Sequence, residues 1–376
     1  MNKKISFLPG ILNPGGIAHL MINLAKEFTS RGYEVDFILT KQKGSIENEL
    51  PEHVNIHRFG NSSKGMLSGL IKYINSEKPL CIISGRDSFN NINYLACRLA
   101  SFKTLPILSV HVDFSAAKKV PLRAKVYRLQ EWLFGMFTYR FAKHIIAVSK
   151  GVAVNHAKRY HIDQEKIKVI YNPSYKNVVF SQAKESEVKA FVDKLERPVI
   201  IGVGRLNTQK GFEVLISAFK QFRDRHRKGS LLILGEGEER KKLEQLCQDL
   251  EISQNVHMPG YVKYPELYIK NSDLFVMSSH WEGFGNVLVE ALGMGSKIVS
   301  TDCPSGPAEI LDFGRYGELV PTNNPDAMCQ AIEKQLRHVH NPETQIGRAG
   351  EFSVAKIADQ YLRLIDQAVI DQTAVI

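Results

Sequence analysis

Leu274-Phe-Val-Met277, Ser278-Ser-His-Trp281, Glu282-Gly-Phe-Gly-Asn-Val-Leu-Val-Glu290 and Ala291-Leu-Gly-Met-Gly295 follow one another without a break. The first four residues form a short apolar run bounded by serines, the pattern of a strand buried on both faces. The stretch over about 285–294 predicts a helix, and the residues between form a turn. Strand, turn and helix in this order make one unit of a doubly wound parallel sheet. Phe284, Gly285, Asn286 and Val287 are expected to open the helix, where free backbone N–H groups can hold a phosphate or sugar oxygens. Glu282 falls on the loop just before, and Glu290 on the helix beyond. Two carboxylates bracketing an anion-binding helix start suit a sugar nucleotide, because carboxylates accept hydrogen bonds from sugar and ribose hydroxyls. The plainer readings are a salt-bridged or buried Glu290 and a helix-terminal charge at Glu282.

The same rhythm extends in both directions. Upstream strands are expected at Val199–Val203, Leu231–Leu234 and Asn255–Met258, and a downstream one at Lys297–Ser300. Helices are expected at about 211–227, 238–250 and 326–338. An earlier series comprises Ile5–Leu8, Val35–Leu39, Leu80–Ser84, Pro106–Val110 and His144–Val148. Leu20, Leu24 and Phe28, with Ile17, Met21 and Ala25 beside them, form an apolar stripe on a helix over about 16–31 that stops at Arg31-Gly32. Tyr171-Asn-Pro-Ser174 and the polar stretch up to Arg197-Pro198 separate the two series. The fold class expected is α/β, with two Rossmann-like doubly wound domains facing across a cleft. Residues 1–172 form one domain, 173–197 a linker and 198–352 the second. A terminal helix over about 353–370 either returns to the first domain or lies on the second.

The chain has 376 residues, enough for two cores, and 44% hydrophobic with 23% charged residues excludes a largely disordered chain. No apolar run approaches the ~20 residues needed to span a bilayer. The start, with Lys3 and Lys4, has too short an apolar stretch for a signal peptide. Five scattered cysteines (Cys81, Cys97, Cys247, Cys303, Cys329) suit a reducing compartment and argue against a structural zinc site. Charge divides unevenly. Residues 1–172 hold 25 Lys and Arg against 12 Asp and Glu, net +13, and the remainder holds 24 against 27, net −3. The stretch 118–168 alone has 12 basic and 3 acidic residues. A basic half attracts a phosphorylated substrate, an anionic membrane surface or nucleic acid, or it is simply a solvated surface.

Two further segments carry chemistry. Gly15-Gly16 follows the first strand and opens the first helix, which allows backbone approach to an anion. Gly204-Arg-Leu-Asn-Thr-Gln-Lys-Gly211 follows the strand Val199–Val203. Arg205 and Lys210, two cations on a glycine-bounded loop, suit a diphosphate. Neither Gly15-Gly16 nor Gly235-Glu-Gly237 completes G-x-G-x-x-G, so a dinucleotide fingerprint is poorly supported.

Taken together, Glu282 and Glu290 spaced E-x7-E, Gly-Arg-Leu…Lys-Gly upstream and Gly-Gly near the start resemble the family 4 retaining glycosyltransferases of the GT-B fold. The order and spacing cover nearly the whole chain. The resemblance implies sugar transfer from a nucleotide donor with the anomeric configuration kept. It implies no cofactor and no metal, because side-chain cations and helix dipoles neutralise the leaving diphosphate; no Asp-x-Asp motif stands in a usable loop. By resemblance, Arg205 and Lys210 are the diphosphate cations and Glu290 binds the ribose hydroxyls. Glu282 lies near the donor sugar, Phe284–Val287 form the backbone cradle, Gly16 lies against the diphosphate, and Tyr261-Val262 lie beside the base. His111, after a strand, resembles the histidine near the reacting centre. The chain departs from the family where His19 stands in place of the arginine of G-G-x-x-R.

Thr301–Leu311 looks like the corresponding run of bacterial members that build surface polysaccharides and lipid-linked oligosaccharides, many of which use UDP-hexose or UDP-N-acetylhexosamine. The expected partners are therefore such a donor, a lipid-linked glycan acceptor and an anionic membrane surface, at the cytoplasmic face of the inner membrane. Lys118 and Lys119, a few residues beyond His111, are expected on the acceptor side. The following helix carries Arg123, Lys125, Arg128 and Arg140 beside apolar residues. Tyr127, Trp132, Leu133, Phe134, Phe137 and Phe141 are expected to pack inward. A GDP-sugar donor is the alternative within the class. A nucleic-acid-binding protein is the alternative outside it, and it lacks a recognisable recognition helix.

Overall fold

The computed structural model describes residues 3–13, 15–111, 122–176 and 180–373. The chain divides into two compact units. One holds the residues up to Pro173 together with those from Val354 onward; the other runs from Ser174 to Ser353.

The first unit has a seven-stranded sheet: β1 (Lys4–Gly10), β2 (Glu34–Thr40), β3 (Asn55–Phe59), β4 (Cys81–Ser84), β5 (Leu105–Val110), β6 (Ile145–Ala147) and β7 (Ile167–Val169). Their order is β3-β2-β1-β4-β5-β6-β7, and every pair is parallel. Leu8, Ile38 and Ile82 pack on one face beneath Leu70 and Ile74 of the helix Ser63–Glu77 and Ala96 of the helix Asp87–Leu99. The helix Gly16–Ser30 packs against the terminal helix Val354–Thr373, and Arg31 bonds to Asp359 across that contact. β3 and β7, absent from the sequence reading, lie at the two edges of the sheet. β3 is mostly exposed or half-buried, so it lacks the continuous apolar run of a central strand.

The second unit has six parallel strands: β8 (Val199–Val203), β9 (Ser230–Leu234), β10 (Val256–Gly260), β11 (Leu274–Met277), β12 (Ile298–Thr301) and β13 (Glu318–Val320), ordered β10-β9-β8-β11-β12-β13. Ile200, Ile233, Val276 and Val299 pack against Leu215 and Phe219 of the helix Phe212–His226 and against Met328 and Ile332 of the helix Pro325–Arg337. The polar stretch 173–197 carries a helix, Gln182–Val192, which packs on the helix Pro265–Asn271 of the same unit. Its polarity reflects an outward face that stays in water while Val188 and Val192 are buried.

The helix Leu122–Phe141 corrects the expectation of inward packing. Its inner face is built from Gly135, Thr138 and Tyr139. The Tyr139 hydroxyl donates to Asp87 (2.7 Å) and accepts from Asn90 (2.9 Å), and the Tyr160 hydroxyl donates to Asp87 (2.9 Å). The Trp132 Nε1–H donates to the Arg159 carbonyl at 3.0 Å. Leu133, Phe134, Phe137 and Phe141 are exposed instead of buried. An aromatic sequence does not say which side of a helix faces the core once two sides are apolar. The side chain of Tyr127 lies outside the described residues.

A Cβ at Gly135 would sit 2.3 Å from the Tyr160 ring, which Asp87 holds in place. Gly135→Ala should lower the stability of the first unit by roughly 1–3 kcal/mol through overpacking. The ~1 kcal/mol gain in helix propensity offsets only part of this. Denaturant titration checks it, and an unchanged or raised midpoint would contradict the close packing.

Candidate functional site

Each sheet reverses its direction of winding once, between β1 and β4 in the first and between β8 and β11 in the second. At such a switch point the two crossovers leave to opposite faces and open a crevice beyond the carboxyl ends of the strands. Several of the residues singled out from sequence gather at these two places.

In the first unit Gly16 begins the helix that follows β1 and is exposed. His111 follows β5 directly. Its Nε2 is buried and has no hydrogen-bond partner among the described residues, and burial lowers its pKa to about 3. The imidazole is therefore neutral at ordinary pH. A Cβ at Gly85, just after β4, would lie 3.4 Å from His111 Nε2 and 2.7 Å from Ile17 of the first helix. A side chain at Gly85 would press on Ile17, so the first helix comes close to the end of β4 here. His19 Nε2 stands 3.9 Å from Glu49 where the family pattern has an arginine. Lys118 and Lys119 lie outside the described residues.

In the second unit the loop Gly204–Gly211 leaves β8, and the loop Ser278–Glu282 leaves β11. Several hydrogen bonds stitch them together. Ser278 Oγ donates to the Lys210 carbonyl (2.8 Å), His280 N–H to the Gln209 carbonyl (2.8 Å), and Gln209 Nε2 to the Trp281 carbonyl (3.0 Å). Gly211 has φ +58, and a Cβ there would stand 2.3 Å from the Ser278 carbonyl oxygen. The Lys210 ammonium pairs with Glu282 at 2.5 Å across the switch point. Ser279 Oγ donates to the same carboxylate at 2.7 Å, and Thr301 in turn donates to the Ser279 carbonyl at 2.6 Å. Glu282 is buried, whereas Arg205 on the same loop as Lys210 is exposed and has no ion pair among the described residues. The arrangement can present a guanidinium to an incoming anion while the ammonium is held in place by a buried carboxylate.

The helix starts at Asn286, one residue later than expected, because Gly285 caps it in a left-handed conformation with φ +107. Phe284 contributes backbone only, since its ring is buried and edge-on to Phe352. Glu290 lies on this helix. Burial pushes its pKa up to about 7, and the charge of Glu266 adds to the rise, against Lys176 and Lys210. Glu266 is itself raised by burial. Tyr261 follows β10 and is fully in the open, with Val262 half-buried beside it. β10 is separated from β8 by β9, so Tyr261 stands apart from the Lys210–Glu282 pair by two strand positions.

Sequence reasoning missed three contributors and the use of two glycines. Gln209 and Ser279 sit inside the quoted segments but have no residue type that marks a site. Glu266 is distant in sequence and shows no local pattern. Gly235 and Gly237 were legible as glycines, and their use is now clear. A Cβ would lie 1.9 Å from the Gly204 carbonyl oxygen at Gly235 and 2.1 Å from the Leu206 carbonyl oxygen at Gly237. The turn after β9 thus presses on the segment that carries Arg205, with Leu206 N–H donating to Glu236 (2.9 Å). No group of three or more His, Cys, Asp or Glu side chains among the described residues is placed to hold a metal ion.

The family model described as Glycosyltransferase Family 4 matches residues 14–173, and that described as Glycosyl transferases group 1 matches residues 183–351. An uncharacterized glycosyltransferase of Methanocaldococcus jannaschii is 31% identical over 200 residues, 45% of this chain and 49% of that protein, so the chain matches about half the length of that relative. A second relative, the N-acetylgalactosamine-N,N'-diacetylbacillosaminyl-diphospho-undecaprenol 4-alpha-N-acetylgalactosaminyltransferase of Campylobacter jejuni, is 27% identical over 96% of this chain and 99% of its own. The crystal structure of Anabaena HepE in complex with UDP superposes with a TM-score of 0.79 at 20% identity, over 97% of this chain and 100% of that one. That likeness shows a GT-B fold.

Two expectations follow from the geometry. Removing one partner of a largely buried ion pair typically costs ~3–5 kcal/mol. Lys210→Ala should therefore destabilise the second unit more than the double change Lys210→Ala with Glu282→Gln, and melting curves of the four proteins give the coupling. Additive effects would mean the pair carries no coupling energy. The second concerns pH. A carboxyl raised from 4.5 to about 7 stabilises the fold fully below pH 4.5 and loses that contribution as pH rises through 7. Relative to Glu290→Gln, the ligand-free wild type should lose stability between about pH 5 and pH 8. Parallel stability profiles would show that Glu290 titrates normally.

Proposed function

Because the chain belongs to the family 4 glycosyltransferases of the GT-B fold, we propose that it transfers a sugar from a nucleoside-diphosphate donor to a lipid-linked glycan with retention of anomeric configuration. The observation that carries this reading is the stitched pair of loops at the β8–β11 switch point. It offers Arg205 in the open and Lys210 fixed by Glu282. Arg205 and Lys210 bind the diphosphate, and Glu290 accepts hydrogen bonds from the ribose diol. Tyr261 and Val262 flank the base. The N–H groups of the Phe284–Val287 segment cradle the donor, Glu282 lies at the donor sugar, and Gly16 offers its backbone to an anion at the start of the first unit's helix. UDP is the favoured nucleotide, supported by HepE having been crystallised with UDP.

In the proposed reaction the bond from the anomeric carbon to the donor phosphate oxygen breaks. The acceptor hydroxyl oxygen bonds to the same face of that carbon, and its proton passes to the leaving phosphate oxygen. No covalent glycosyl-enzyme forms. A neutral His111 suits this step, because an uncharged imidazole does not repel positive charge developing on the sugar. Cationic side chains take the place of a metal at the leaving diphosphate. A lipid-linked acceptor is supported by the Campylobacter relative, whose name specifies a diphospho-undecaprenol-linked acceptor. The net charge of +13 over 1–172 supports residence at an anionic membrane face, on the cytoplasmic side, in surface polysaccharide or lipopolysaccharide biosynthesis.

Thermal protection by a panel of nucleotide sugars identifies the donor, with UDP-sugars expected to protect; protection by GDP-sugars alone would change the nucleotide. Arg205→Ala should weaken UDP binding by about 1.5–3 kcal/mol and hardly alter uridine binding. Equal loss for both would place Arg205 away from the phosphates. An inverted anomer seen by NMR of the product, or activity abolished by EDTA, would overturn retention or metal independence respectively.

A further inference from the structure

Gly235-Glu-Gly237 stops short of a dinucleotide fingerprint because Arg240 stands where the third glycine would be. In that fingerprint the third glycine lets the helix lie close against the strand. Here an arginine opens the helix Arg240–Asp249, and its guanidinium reaches three acceptors. Nη1 donates to Glu236 Oε1 (2.6 Å), Nε to Glu244 Oε1 (2.9 Å) and Nη2 to the Met258 carbonyl (2.6 Å). Glu236 belongs to the turn after β9, Glu244 to the same helix as Arg240, and Met258 to β10. The rigid fork of donors is what lets one side chain span them. Partly exposed pairs at i,i+4 hold little by themselves. The Met258 carbonyl lies on a different element, and bonding to it turns the ion pairs into a clamp.

That bond falls at a break in the sheet. β10 runs in register with β9 at Val256 and His257, and the pairing shifts before Gly260. Pro259, inside the break, has no N–H to give to the ladder. An irregularity of this kind bends a strand and re-aims the residues beyond it. The bent end is held against the turn after β9. Gly235 N–H donates to the Gly260 carbonyl at 2.9 Å, and Gly260, at φ +94, lies so close to Glu236 that a Cβ would stand 2.7 Å from Oε1. Tyr261 and Val262 come next. Tyr261 is 77% exposed, so packing of its own ring does little to place it. Its place is set by the backbone before it, and that backbone is tied to Glu236 and Arg240. We infer that Arg240 is a positioning residue for the nucleobase of the donor, acting through the end of β10 on Tyr261 and Val262. This rests on the donor reading proposed above and goes beyond it, since it assigns the base end of the site to a cation that the diphosphate does not use.

Calorimetric titration with uridine, UDP, guanosine and GDP tests it. Arg240→Met keeps an apolar stem and removes the fork. For whichever base the wild type binds, nucleoside and nucleoside diphosphate should weaken by the same factor, on the order of tenfold. Arg205→Ala, by contrast, should weaken only the diphosphate form. Lys241→Ala removes an exposed charge from the next position of the same helix, and it should change neither, which separates the clamp from loss of charge. In a Tyr261→Ala background Arg240→Met should add little, because the group it positions is gone. Arg240→Lys keeps the charge and loses the fork, and it should weaken both ligands by a smaller common factor, which keeps the result readable if Arg240→Met does not fold. Unchanged nucleoside binding in both Arg240 variants, a loss confined to the diphosphates, an equal loss in Lys241→Ala, or a full further loss in the Tyr261→Ala background overturns the inference and leaves the donor reading standing. A wild type that binds none of the four ligands overturns the donor reading, and this inference with it.

Discussion

Parallel strands cannot be joined by tight turns. Each must be followed by a crossover that returns over one face of the sheet. A sheet of this kind covers both faces only if the winding reverses somewhere, and at that reversal the carboxyl ends of two adjacent strands are left without a crossing segment between them. Here the reversals fall at β1–β4 and β8–β11. Gly16, Gly85 and His111 collect at or beside the first, and Arg205, Lys210 and Glu282 collect at the second. None of these residues is brought in by an appended loop or insertion. Their positions follow from the topology.

Backbone contact, more than side-chain chemistry, sets the shape of the second site. Gly211 lies against the Ser278 carbonyl, Gly235 and Gly237 lie against the segment 204–206, and Gly306 at φ +98 lies against the Phe284 carbonyl, where a Cβ would be 1.9 Å away. Four loops are thereby held at distances that no other residue type permits. The polar groups then have fixed roles. Ser279 and Lys210 both approach one oxygen of Glu282, and Thr301 fixes Ser279. A carboxylate so held is well satisfied, and an ammonium bound to it loses freedom to follow a ligand. A phosphate arriving at Lys210 also meets the negative charge of Glu282. Arg205, exposed and unpaired with any acid among the described residues, is the cation free to answer it.

Much of this was legible in the sequence, in proportion to how local the cause is. Central strands such as Phe275–Met277 and Ile200–Val203 announce themselves because burial on both faces demands unbroken apolar residues. Edge strands do not: Asn55–Phe59 alternates, and Glu318–Val320 and Ile167–Val169 are three residues each. Glycine-bounded loops pointed to Arg205, Lys210 and Glu282, because a backbone constraint leaves a mark in composition. The rise of the Glu290 pKa does not, since it depends on burial and on Glu266, which is 24 positions away in sequence. The outward turn of Phe134 and Phe137 was hidden for the same reason. Periodicity shows that a helix has an apolar side, and only the partners Asp87 and Tyr160 show which side is inner.

The two units therefore divide the physical work by the kind of surface they present. In the second unit the cations near the switch point are few and placed by neighbouring loops, against a net charge of −3 over residues 173–376. Such a background does not draw anions in general, so selection of an anion there depends on position. Residues 1–172, at +13, attract anionic surfaces over a Debye length of about 8 Å in physiological salt, without regard to exact fit. Long-range attraction of that kind does not orient a protein. An apolar stripe does, because its contribution vanishes unless the rings themselves leave water. In the helix Leu122–Phe141, Tyr139 is anchored on the inner side, and Phe134, Phe137 and Phe141 stand exposed on the other.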